Sequence, residues 1–320
     1  MTELAATSDV QIAVPPAPSS RTAVLRDVIA LAKPRIMVMT LLTAAGAASL
    51  APGRVDPTTI ALMLIGTGLI VGAANAFNMY IERDIDCLMA RTKSRPLPQR
   101  RLSPATARRF GAVLHALALP VLLAVNPLTA VLGLVAMGSY VFLYTPLKQK
   151  THWATWVGAV PGAMPVLMGW AAATGTIDLA GLAVFSVLFF WQIPHFHAIA
   201  LYRQREYERA GLKTLPSARG ERAALIQIGV FLVVQVAASL TLPLLGVTGM
   251  PYLIVACVLG AFVLIQGVFP LILSEHGAKR RAQSKDGIVG GGPKWARQVF
   301  LASLVYLPVL FVTMVLDGRL

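Results

Sequence analysis

The stretch TIALMLIGTGLIVGAANAFNMYIERDID, residues 59–86, decides how this chain folds. From residue 59 to residue 80 it carries no charge, and at about 1.5 Å per residue a helix of that length crosses the hydrocarbon core of a bilayer. It then turns abruptly polar in the run Asn78-Met-Tyr-Ile-Glu82-Arg-Asp-Ile-Asp86. Steps of four residues drift by only about 40° on a helix, so Asn78, Glu82 and Asp86 project from one face. Three oxygen-bearing side chains so placed form a cradle suited to a hard divalent cation. Asp84, about 240° around from Asn78, points away from them. Spacing alone leaves a second reading open, a solvated helix end whose acids pair with nearby arginines.

The rest of the chain shares the character of that helix. Hydrophobic residues make up 56% and charged residues 13%, with a mean hydropathy of +0.69. A soluble domain carries about 25% charged residues, and one core cannot hide this much apolar sequence. The fold class is therefore an all-α polytopic membrane protein. Nine apolar runs read as transmembrane helices, near residues 36–51, 59–80, 110–125, 127–145, 154–173, 179–201, 223–246, 251–273 and 297–316. Connections after the first, third, fifth and seventh are short and nearly uncharged, whereas those after the second and sixth are long and densely charged. That spacing predicts two four-helix units plus one further helix, with an active chamber opening between two polar loops on the cytoplasmic side.

Charge sets the expected orientation. Of the 28 lysines and arginines, 26 fall on one side of these spans, with only Arg54 and Arg319 opposite. By the positive-inside rule the N-terminus and the long loops are cytoplasmic and the C-terminus is outside. The net charge of +14 is then a topology signal plus attraction to the lipid bilayer and to anionic substrates, and needs no nucleic acid. Residues 1–24 lack the basic start and apolar stretch of a secretory signal and read as a disordered cytoplasmic tail, leaving 25–320 as a single transmembrane domain. Cys87 and Cys257 fall at different depths without C-x-x-C spacing, which argues against a disulfide or zinc site.

The second polar loop begins His195-Phe-His197 and runs through Tyr202, Arg203, Glu206, Tyr207, Gly211 and Lys213. On one continuous helix, Tyr202 and Glu206 return to within about 20° of His195 while His197 points roughly 200° away. His195 is thus expected to face the chamber and His197 a neighbouring helix. An interfacial hydrogen bond is the competing role for either histidine. Beside the first acidic cluster, Arg91, Lys93 and Arg95 either neutralise the carboxylates or hold phosphate oxygens shared with a bound cation. The run Gly287-Ile-Val-Gly-Gly-Gly292-Pro-Lys294 only superficially echoes a phosphate loop, because Pro293 precedes the lysine and no hydroxyl residue follows; it reads as a linker. The tryptophans fit interfacial belts or packing, and Asp317 near the end carries no signal.

Together these motifs resemble the UbiA-type intramembrane prenyltransferases, and within them the branch that modifies haem. The similarity rests on Lys33-Pro-Arg-Ile36, on Asn78 to Asp86 followed by Arg91-Thr-Lys-Ser-Arg-Pro-Leu97, and on Tyr144-Thr-Pro-Leu-Lys148. It continues through Gly158-Ala-Val-Pro-Gly162-Ala-Met-Pro165 and Trp191-Gln-Ile-Pro-His195-Phe-His197, covering about residues 30–220. Most of the superfamily carries a second Asp pair where this chain has Arg203 and Tyr207. That departure fits the haem-modifying branch and argues against prenylation of an aromatic acid for quinone synthesis.

The resemblance implies a Mg2+-dependent transfer of the farnesyl group of farnesyl diphosphate to a vinyl group of haem b, with addition of water. It implies Asn78, Glu82 and Asp86 as metal ligands, with Tyr144 joining them as a catalytic side chain facing the allylic cation. Arg91, Lys93, Arg95, Lys148, Arg203 and Lys213 are then the diphosphate contacts, and His195, His197, Tyr202 and Glu206 the haem contacts. It further implies a bacterial cytoplasmic (inner) membrane and association with a downstream haem-modifying oxidase. A transporter of haem or cations, the non-enzymatic alternative, would place charges near the bilayer midplane, and these spans are almost devoid of acids.

Overall fold

The computed structural model describes residues 20–268 and 292–318, and every regular element within them is a helix. Helix α1 (Arg21–Leu31) starts where the Ser20 hydroxyl accepts from the Ala23 N–H, four residues inside the segment read as a tail. α2 (Pro34–Leu50) follows at a 46° bend, because Pro34 lacks the N–H that a continuous helix needs. α3 (Pro57–Ile81) is the decisive span; Asp56 caps it, and α4 (Arg83–Asp86) continues past its end. α5 (Pro104–Val125) begins six residues before the apolar run does. Ser103 accepts from the Thr106 N–H and Pro104 takes the first helical position, so Arg108 and Arg109 ride on its first turns.

α6 (Pro127–Gly138) passes into a π-helical stretch, Ser139–Tyr144, and the single turn α7 (Thr145–Leu147). α8 (Ala154–Thr174) and α9 (Leu179–Tyr202) are the fifth and sixth spans. Two short helices, α10 (Gln204–Arg209) and α11 (Leu215–Arg219), form the second polar loop. α12 (Glu221–Leu244), α13 (Met250–Gly267) and α14 (Gly292–Asp317) complete the chain. The run 251–273 and the linker 287–294 fall partly outside the described residues, as does most of the tail. Among the described residues eight helices are each long and apolar enough to span a bilayer, and the bent pair α1 and α2 makes a ninth.

The spans close into a ring. Each packs on the next in chain order from α2 to α14, and α14 returns to α2. α8 sits innermost, packing also on α2, where an added Cβ on Gly169 would collide with the Ala44 carbonyl. Such close backbone approach is how helices associate in lipid, where no hydrophobic force drives them together. One apolar cluster joins α2, α8, α9, α12, α13 and α14, and a second joins α3, α5, α6 and α8. Asp317 has a structural role that its sequence context does not reveal: its carboxylate accepts from the Gly249 and Tyr252 N–H groups, capping α13 from the far end of α14.

Candidate active site

A cavity of about 550 Å³ lies inside the ring, and its polar groups gather at one end. α3 supplies that end. The Glu82 N–H bonds to the Asn78 carbonyl and the Asp86 N–H to the Glu82 carbonyl, so the backbone keeps its helical course through the α3–α4 junction. Asn78, Glu82 and Asp86 are therefore buried together on the cavity wall, while the Asp84 side chain is 83% exposed beside Arg83.

Each member of the trio is held by a cation from another segment. Lys33 Nζ donates to Asn78 Oδ1 at 2.6 Å, Lys148 Nζ to Glu82 Oε1 at 2.8 Å, and Arg95 Nη1 to Asp86 Oδ2 at 2.7 Å. Burial pushes the Glu82 carboxyl up, but Lys148 and then Lys33 outweigh it and hold the group below the usual carboxylate range. Burial likewise pulls the Lys148 ammonium down, and the Tyr144 oxygen and Glu82 carboxylate more than reverse this, so Lys148 stays charged.

The backbone pays for this geometry at two places. Lys33 adopts a left-handed conformation (φ 53°), which costs an L-residue roughly 1–2 kcal/mol. Two amides of α3 hold it there: Asn75 donates to the Ala32 carbonyl at 3.0 Å, and Asn78 takes the Lys33 ammonium. The π-helical stretch then rotates Tyr140 and Tyr144 onto the cavity wall, with ring centroids 5.4 Å apart. Thr145 donates to the Tyr140 carbonyl and accepts from Asn78 Nδ2, tying this turn to α3. The Lys148 ammonium lies 4.3 Å from the Tyr144 ring centre.

Of the residues singled out from sequence, Arg91, Arg95, Lys148, Lys213 and Tyr144 line the cavity with the trio. Arg91 stacks over Tyr207, itself a lining residue, at 5.3 Å. Lys93 is exposed and outside the lining, and Arg203 pairs with Glu206 at 2.9 Å rather than facing the cavity.

The expectation that His195 faces the chamber is corrected, whereas His197 does face a neighbouring helix. His195 is turned to α14, where its Nδ1 lies 2.7 Å from Ser303 Oγ and its ring stacks on Trp191 at 4.4 Å. The Ser303 hydroxyl donates to the Phe300 carbonyl, so the histidine N–H is the donor in that pair. His197 is buried beside Gln227 of α12. Neither histidine, nor Tyr202 or Glu206, lines the cavity. The break at Arg203 (φ −111°, ψ 26°) between α9 and α10 shifts the phase of Glu206 alone; His195, His197 and Tyr202 precede it on α9, whose packing on α12 and α14 turns a different face to the cavity. The wall of α9 is instead Leu188, Gln192, Phe196 and Ala200, four apart, with Trp191.

Lys33, Asn75, Tyr140 and Gln192 line the cavity although the sequence reading gives none of them a site role, Lys33 and Gln192 entering it only as members of motifs. Lys33 also carried a local signal, a lysine before a helix-starting proline, but it counts among the positive charges that set topology.

Among the described residues no three His, Cys, Asp or Glu side chains gather as a metal site. Two carboxylates and an amide still suit Mg2+, which takes one or two protein carboxylates and completes its shell with substrate phosphates and water. Asp86 Oδ1 is buried with no hydrogen-bond partner among the described residues, an acceptor left open on the face the trio shares. Five cations line the same end, Lys33, Arg91, Arg95, Lys148 and Lys213, against two carboxylates. The surplus positive charge suits a polyanion.

Comparison with known proteins adds three findings. The sequence profile of the UbiA prenyltransferase family matches residues 38–285. Protoheme IX farnesyltransferase of Anaeromyxobacter dehalogenans (strain 2CP-C) is 45% identical over 296 residues, covering 92% of this chain and 95% of that protein, and its namesake in Sorangium cellulosum (strain So ce56) is 48% identical over 275 residues, covering 86% and 92%. A UbiA homolog from Archaeoglobus fulgidus, solved bound to DMAPP and Mg2+, shares the fold at 16% identity with a TM-score of 0.62, over 90% of this chain and 99% of that one.

Proposed function

This chain belongs to the UbiA prenyltransferase family, and from that premise we propose that it transfers the farnesyl group of farnesyl diphosphate to a vinyl group of haem b, with addition of water, in a bacterial inner membrane with its polar loops cytoplasmic. The observation that carries the proposal is the trio Asn78, Glu82 and Asp86, each member held by a lysine or arginine at the polar end of an otherwise apolar cavity. The acceptor is inferred from the relatives named protoheme IX farnesyltransferase, and the metal from the homolog bound to DMAPP and Mg2+.

Asn78, Glu82 and Asp86 would hold Mg2+, which when bound supplies charge stabilisation to the departing diphosphate. Lys33, Arg91, Arg95, Lys148 and Lys213 bind and orient the same anion through charge-assisted hydrogen bonds. The allylic carbon–oxygen bond breaks with its electron pair going to the diphosphate, and the Tyr144 ring faces the carbon left positive. Residues such as Ile70, Val71, Met137, Leu188 and Leu304 accept the apolar tail and keep bulk water out.

The test is to incubate the purified protein with Mg2+, farnesyl diphosphate and haem b and to resolve the haems by mass spectrometry. A haem heavier by one farnesyl group and one hydroxyl group is the expected product. Unchanged haem b, with an aromatic acid prenylated in a parallel incubation, would overturn the acceptor.

A further inference from the structure

One polar side chain on the apolar wall has no part in the chemistry so far. Gln192 of α9 is 95% buried (5% exposed), yet it lines the cavity. Its Nε2 donates to the carbonyls of Ala159, at 3.1 Å, and Leu188, at 3.3 Å. Both amide hydrogens are thereby used, and Oε1 is left with no protein donor among the described residues. Oε1 lies against Gly162, where a Cβ would take its place. Gly162 and Pro161 line the cavity beside it. Pro165 has no N–H to offer the Pro161 carbonyl, so a second acceptor loses its helical partner on the same stretch of wall.

Depth fixes what these acceptors face. Gly158, one turn or about 6 Å above Gly162 on α8, packs against the Tyr144 ring. That ring carries the Lys148 ammonium that holds Glu82. Gln192 therefore sits one turn below the diphosphate end, on the side toward which a prenyl carbon and its acceptor extend. A buried amide with a free oxygen is costly in an apolar wall unless something donates to it, and a water needs at least two polar partners to stay.

We propose that Gln192 Oε1 and the Pro161 carbonyl hold the water molecule that is added to the haem vinyl group. The inference rests on the farnesyl-transfer reading above. The vinyl π pair forms the new carbon–carbon bond to the farnesyl carbon as the diphosphate leaves with the carbon–oxygen pair. The positive charge then lies on the vinyl carbon next to the porphyrin ring. A lone pair of the held water forms the carbon–oxygen bond, and the water's proton passes to the diphosphate. Without a held water the same cation loses a proton from the neighbouring carbon and becomes an alkene, lighter than the hydrated product by one water.

The experiment follows that branch point. Full-length protein is supplied with farnesyl diphosphate, Mg2+ and haem b in water enriched in oxygen-18, and farnesylated haems are separated by mass. Wild type should give the hydrated product with the heavy label. Gln192→Leu should still farnesylate haem, with the ratio of dehydrated to hydrated product raised about tenfold, the scale of one lost hydrogen bond to the attacking water. Gln192→Glu, which keeps an acceptor oxygen, should restore hydration. Gly162→Ala displaces Oε1 with Gln192 intact and should raise the ratio too, which decides the matter if Gln192→Leu does not fold. A wild-type ratio in a folded Gln192→Leu or Gly162→Ala protein would overturn the water site. Absence of any farnesylated haem from the wild type would overturn the proposed reaction itself.

Discussion

Asp86→Asn tests the metal role of the trio most cleanly, because Asp84 offers the same chemistry two residues away in the opposite environment. The Asp86 side chain is 1% exposed, with one oxygen on Arg95 at 2.7 Å and the other without a partner among the described residues. Its amide replacement keeps the size but removes a charge that Arg95 and a hard cation both use. A hydrogen bond to a charged group contributes about 1.5–3 kcal/mol, so kcat/KM for farnesyl diphosphate should fall by about tenfold to about 150-fold. Asp84, 83% exposed and only 3.5 Å from Arg83, should tolerate Asn within about twofold. The assay is haem farnesylation by purified protein across a Mg2+ titration, with thermal unfolding of both variants to show an intact fold. Wild-type turnover by Asp86→Asn throughout the titration, or an equal loss in Asp84→Asn, would refute the metal assignment.

Lys213→Ala should weaken farnesyl diphosphate binding by about tenfold in an equilibrium titration, while Arg203→Ala, whose guanidinium is turned to Glu206, should change it by less than about threefold. Gly158→Ala puts a Cβ into the Tyr144 ring, and overpacking of about 1–3 kcal/mol should appear as a lower thermal midpoint together with a raised KM for the diphosphate. His195→Ala loses the Ser303 hydrogen bond and the stack on Trp191, so it should lower stability by about 1–3 kcal/mol and leave the absorption spectrum of bound haem unchanged; a shifted spectrum would return His195 to the haem. Asp317→Ala removes the cap of α13 and should cost about 0.5–2 kcal/mol in thermal unfolding with kinetic constants unaltered.

Features that depend on one helix's own geometry were legible in the sequence. The course of α3, the shared face of Asn78, Glu82 and Asp86, and the outward turn of Asp84 all follow from residue spacing. The spans were legible too, because runs such as 154–173 and 179–201 contain no charge and end at polar loops. The face of α9 was not. Residue spacing does not say that the side of α9 bearing His195 packs on α14 rather than lining the cavity, and nothing in Tyr-Arg-Gln-Arg announces the break at Arg203 that takes Glu206 out of phase. Nor was Lys33: its place in the site depends on Asn75 and Asn78, more than forty residues away, holding a strained backbone that sequence spacing does not register.

The pairing of every trio member with a cation explains how two acids stay ionised inside an apolar bundle. Glu82 and Asp86 are almost fully buried, and an uncompensated carboxylate there would shift its pKa and take up a proton. Lys148 and Arg95 prevent that without closing the site, since an ammonium or a half-exposed guanidinium can exchange a carboxylate oxygen for a phosphate oxygen at little cost in charge. On the proposed function these two cations then serve twice. They neutralise the acids while the site is free, and they turn to the diphosphate when substrate and metal arrive together. Removing one cation should therefore harm the free site as well as the loaded one. Lys148 is the sharpest case, because it holds Glu82 and also lies over the Tyr144 ring, joining the anion-binding end of the cavity to the aromatic face where the allylic carbon is expected.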